Sequence, residues 1–146
     1  MIKKKKKNCF SLGQSLVEMI VVVGIVTVSL VALVRAAVVA VRNAQFARHQ
    51  SQAIDLAREA AEWLRAERKK GFSQFASYAD SNYCFNNLDW NNTGSCGDDE
   101  LVNGIFKREV SLTKESDDLI KVEITVSWQE RGKTHSRTIE TYLSKS

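Results

Sequence analysis

The sequence predicts an α+β protein. A long N-terminal α-helix, with its N-terminal half transmembrane, packs on a C-terminal antiparallel β-sheet of three to four strands. Three observations carry the prediction. Residues 19–34 are sixteen consecutive positions without a charge. From Ser15 to Lys70 there is no proline and one glycine, Gly24. After Gly104 the apolar period changes to two, the repeat of a strand with one buried face.

The first element is the apolar run. Past Arg35 it resumes to Val41, so residues 19–41 are 23 positions with a single charge. As a helix that is about 35 Å, enough for a hydrocarbon core of about 30 Å. The net charge of the 146-residue chain is +4, but Lys3, Lys4, Lys5, Lys6 and Lys7 supply five of its 21 basic residues. Without residues 1–13, 16 basic residues face 17 acids and the net charge is −1. The basicity therefore belongs to a leader and speaks for membrane orientation rather than nucleic-acid binding. By the positive-inside rule the lysine end stays cytoplasmic and the remainder is exported.

The leader has no apolar core of its own, unlike a secretory signal peptide. A cut after the small residue Gly13 would fall before the apolar run and leave the membrane segment in place. The expected divisions are residues 1–13 as cleaved leader, 14–41 as transmembrane helix and 42–71 as amphipathic helix. Ala53, Ile54, Ala57, Ala60, Ala61 and Leu64 recur at spacings of three and four and form one stripe. Arg48, Asp55, Arg58, Glu59, Glu62 and Arg65 cover most of the rest. Arg68, Lys69 and Lys70 suit the negative end of a helix, and Gly71 the left-handed position beyond it. Written as one helix, residues 15–70 would extend about 84 Å, of which a membrane holds the first third.

Residues 72–104, rich in Asn, Ser, Gly and aromatics, read as irregular loop. They hold Cys84 and Cys96; the third cysteine, Cys9, lies in the leader. In an exported segment the two form an expected disulfide, which would stabilise by roughly 3 kcal/mol in the chain-entropy model; the alternative is two separate thiols. Asn91–Thr93 matches an N-glycosylation acceptor, a short match that loop composition explains equally. Residues 105–146 read as the sheet. In "LIKVEITVSWQ" the residues Ile120, Val122, Ile124, Val126 and Trp128 share one face, "ERGK" is a turn, and "THSRTIETYL" is the partner strand. "IFKREVSLT" precedes them across a polar turn at "ESDD", which makes an antiparallel meander for the helix stripe to cover.

Glu18 stands where hydrocarbon begins. "SLVE", Ser15 to Glu18, has the form of a capping box, with Ser15 as N-cap and Glu18 reaching back to a backbone N–H. That accounts for the acid but not for Gly13 or for the order of lysines, glycine and glutamate. "KKKKKNCFSLGQSLVEMIVVVGI" resembles the class III leader and N-terminal helix of type IV pilins and pseudopilins. The resemblance implies a prepilin peptidase that cuts after Gly13 and methylates the new amine on Gln14. It also implies that Glu18 acts in assembly, that the apolar helix first anchors the subunit and then forms a filament core, and that an assembly platform and other pilin or pseudopilin subunits are partners. A carboxylate at mid-membrane costs about 2.5–3.5 kcal/mol on insertion scales, and the amine of Gln14 on a staggered neighbour would offset much of it. Gln14 stands where major pilins commonly have phenylalanine, and an N-terminal glutamine can cyclise to uncharged pyroglutamate. With the missing helix proline and the aromatic loop, this turns the expectation toward a minor pilin or pseudopilin, in a type IV pilus or a type II secretion system.

His49 and His135 lack a cysteine or carboxylate at metal-ligand spacing. No glycine-rich phosphate loop, Gly-x-Ser-x-Gly or His-Glu-x-x-His is written in the chain. The expectation is therefore no enzyme, no metal and no cofactor. Arg65, Arg68, Lys69 and Lys70 read as a solvated helix end before a DNA patch, while Tyr83, Phe85 and Trp90 suit either a surface ligand or packing under the disulfide. The competing classes are a signal-anchored extracytoplasmic binding protein that never assembles and a DNA-binding or adhesive tip subunit.

Overall fold

The structure, a computed structural model, describes residues 12–145, with side chains from residue 16 onward. Lys3 to Lys7 and Cys9 lie outside the described residues, as do the side chains of Gln14 and Ser15. Helix α1 covers Leu12–Lys70 and a short α2 covers Phe72–Ala76. Strands β1 (Ser81–Cys84), β2 (Phe106–Ser116), β3 (Leu119–Glu130) and β4 (Lys133–Ser144) form one sheet in the order β1-β2-β3-β4, antiparallel throughout. The chain divides into two compact units, Met1–Gln45 and Phe46–Ser146.

In the first unit, every described side chain, residues 16–45, is exposed. The helix there is the one element among the described residues long and apolar enough to cross a membrane. Its described hydroxyls, those of Thr27 and Ser29, are satisfied within the helix. Thr27 Oγ1 donates to the Val23 carbonyl and Ser29 Oγ to that of Ile25, the latter at 2.8 Å. Ser15 is helical in backbone and stands inside the first turn, so it is not the N-cap that the capping-box pattern places there.

In the second unit, the C-terminal part of α1 lies on one face of the sheet. Ala53, Ala57, Ala60, Ala61 and Leu64 are buried against Val110, Leu112, Ile120, Val122, Ile124, Val126 and Trp128. The expected stripe is therefore present except at Ile54, which is half-buried at its margin. Leu56 packs on the core from the other margin. Four of the five buried stripe residues are alanine, which lets the helix backbone approach the sheet closely. In β3 the inward and outward residues alternate in the expected register from Ile120 to Trp128. β3 and β4 are joined through Arg131 and Gly132, whose φ values of 53° and 72° are those of a two-residue hairpin turn with both central residues left-handed.

Residues 72–104, expected to be irregular throughout, contain α2 and β1. β1 is only four residues long, too short for its alternation to stand out, and tertiary pairing creates it: Ser81 to Cys84 lie opposite Leu112 to Glu109. Its far edge is shielded by residues 92–94, where Cys84 N–H donates to the Asn92 carbonyl and Gly94 N–H to that of Asn82.

Because Ala57 is fully buried at the helix–sheet contact, Ala57→Leu should destabilise the second unit by about 1–3 kcal/mol through overpacking. Ala44→Leu, on the exposed first unit, should leave the unfolding midpoint in urea unchanged.

Candidate functional site

The residues singled out for processing and assembly fall on the first turns of α1. Glu18 is exposed and is flanked by Val17 and Met19, which expose 61% and 72% of their surface. It has no ion-pair partner among the described residues. Gly13 and Gln14 are helical in backbone, one turn upstream. A Cβ added at Gly24 would meet nothing within 4 Å, so the helix there is bare. Arg35, the only other charge from residue 16 to Val41, is exposed and also without a partner among the described residues. The structure thus gives this segment an unbroken apolar surface with one acid near its start and one base near its far end.

The second unit brings together residues of a different kind. Cys84 and Cys96 are joined as a disulfide, with a Cα–Cα distance of 4.8 Å. Trp90 lies face to face with Tyr78 at 4.1 Å and within 5.1–6.1 Å of Trp63, Phe75, Tyr83 and Phe85. Tyr83 and Phe85 are buried, so the loop aromatics pack inward against α1 rather than forming an outward patch. His135 stacks against Trp128, and His49 Nδ1 lies 3.5 Å from Glu130 Oε2. Among the described residues no group of three or more His, Cys, Asp or Glu is placed to hold a metal ion. Of the basic residues at the helix end, Arg65 pairs with Glu62, Lys70 with Glu67, and Arg68 donates to the Ser144 carbonyl at 2.8 Å.

A comparison with protein-family models, curated proteins and solved structures finds no match. Function therefore has to be read from the chain itself. The resolved pKa shifts belong to surface pairs. The hydrogen bond and charge of Lys107 hold the Asp98 carboxyl below its ordinary value, Lys114 does the same for Asp117, and Glu140 raises Lys121. Of these groups, Asp98 and Lys107 line one open cavity together with Trp128, Gln129 and Thr134.

One residue that the sequence reading passed over organises the second unit. Arg108 is 2% exposed, on the inward face of β2. Its Nε donates to the Phe85 carbonyl at 2.9 Å, and Nη1 to the Leu56 carbonyl at 3.2 Å and to Glu59 Oε2 at 2.7 Å. The signal was present in "FKREVSL": Phe106, Arg108, Val110 and Leu112 share one face, with a charge in a slot of core spacing. Glu59→Ala would leave that guanidinium buried without a counter-charge and should cost about 3 kcal/mol. The double variant Arg108→Met with Glu59→Ala should cost less than Glu59→Ala alone, a non-additivity that a chemical-denaturation cycle measures directly.

Proposed function

We propose that the chain is a structural subunit, a minor pilin or pseudopilin, of a type IV pilus-like filament or a type II secretion system. It is held in the cytoplasmic membrane by residues 14–41 with the lysine leader cytoplasmic. A prepilin peptidase cuts after Gly13 and methylates Gln14, and the subunit then polymerises through its N-terminal helix. One observation carries this reading: residues 16–41, apolar except for Glu18, Thr27, Ser29 and Arg35, are uncovered on every side of the helix. A surface of that size must meet lipid or other apolar helices, because water cannot solvate it cheaply.

The order of residues supports assembly over simple anchoring. A plain anchor can leave the acid wetted among the headgroups at the positive start of the helix, whereas a helix bundle can use it to select one register, since only one stagger matches both charges of a buried pair. Two cations are available to Glu18 on a neighbouring chain, the amine freed at Gln14 and the guanidinium of Arg35.

Mass spectrometry of the mature chain from its host should find a start at Gln14, with or without an added methyl group. Glu18→Ala should be inserted and cut normally yet be absent from sheared filaments. A Met1 start on a solitary membrane protein would instead establish the signal-anchored alternative.

A further inference from the structure

Glu18 and Arg35 border sixteen uncharged residues, 19–34, which span about 24 Å of helix. In a bilayer the two charges fall near opposite borders of the hydrocarbon layer, and both long side chains can reach the headgroups. When copies pack on one another that solution is lost. Each charge is then walled in by Val, Ile and Leu, and an unpaired buried ion costs several kcal/mol. Within one copy the two are 17 residues apart, about 25 Å, so they cannot neutralise each other. Between copies each supplies what the other lacks.

Resting on the reading above, we infer that Glu18 of one copy pairs with Arg35 of a second copy lying parallel to it and shifted by about 25 Å along the helix axis. The amine of Gln14 is the weaker candidate. In any fraction that cyclises instead of being methylated it loses its charge, as the nitrogen attacks the side-chain amide carbon, closes a lactam and expels ammonia. The planar fork of Arg35 matches a carboxylate with two parallel hydrogen bonds.

The contact is heterologous. Each pair leaves one copy with a free Arg35 and the other with a free Glu18, so the series stays open and extends. It also winds. Seventeen residues at about 100° each place the two side chains roughly 100° apart around the helix. A straight row of identically oriented copies would need 180°, so each copy is turned by roughly 80° relative to the last.

The test uses the full chain expressed as the sole copy in its host. Arg35→Glu and Glu18→Arg should each lower the amount in the sheared filament fraction by about tenfold or more. The double swap, Glu18→Arg with Arg35→Glu, should recover most of it. A second measurement does not depend on the charges. Two tagged copies of different size, one Met19→Cys and one Ala36→Cys, are oxidised in the sheared filament fraction. The 19–36 product should exceed the 19–19 product. A processed double swap that stays as low as the single variants, or 19–36 crosslinking no greater than 19–19 while unaltered filaments form, overturns the pairing and leaves the subunit reading standing. A chain that starts at Met1 and never contacts a second copy overturns both.

Discussion

The second unit is organised around a cation that has no access to water. Arg108 reaches from β2 to the helix carbonyl of Leu56, to Glu59 one turn on, and to Phe85 just past β1. Three segments distant in sequence are thereby fixed to one planar group, whose donors have defined directions. An apolar side chain there would fill the same space without dictating where the carbonyls lie. The pairing of Phe85 N–H with the Arg108 carbonyl at 2.8 Å closes the arrangement through the backbone, so the loop is held by both the side chain and the main chain of the same residue. Glu59 remains half-exposed, and its charge balances the guanidinium from the solvent side.

Around that point the packing follows from residue size. The alanines of α1 bring the helix close to the sheet, and the large side chains sit at the two ends of the contact. Phe46 lies against Trp128 and His135 at one end, and Trp63 against Phe85 and Trp90 at the other. The apolar segment, residues 16–41, obeys the opposite rule: its side chains bury nothing, its hydroxyls turn back on their own helix, and its two charges stand apart. Such a segment is finished only by its surroundings.

Much of this was legible in the chain. The change of period from 3.6 to two located α1 and the three long strands, because each carries enough repeats for the pattern to rise above chance. Gly132 marked the β3–β4 turn, although the left-handed Arg131 beside it carries no such mark. β1 was not legible, since four residues acquire strand geometry only by lying against β2. Ile54 was misjudged because Ile54 and Leu56 are both apolar at the edge of the stripe, and only three-dimensional packing decides which is covered. For the candidate site, Gly13, Gln14 and Glu18 were singled out through the resemblance of the leader to a known family, and of their side chains the structure describes that of Glu18, which is exposed. Attention to Arg35 needed the additional observation that no partner for its charge stands among the described residues of its own chain.

The crosslink between Cys84 and Cys96 has a further consequence for the life of the molecule. The two residues expose only 1% and 7% of their surface, beneath a loop tied to β1 and β2. A reducing thiolate must approach a sulfur directly to exchange with it. Once the bond exists, its chemical lifetime is therefore governed by how often residues 85–96 lift away, a property of local folding rather than of the redox medium. The same cover works in the other direction during maturation, when an oxidant has to reach both thiols before that loop closes over them.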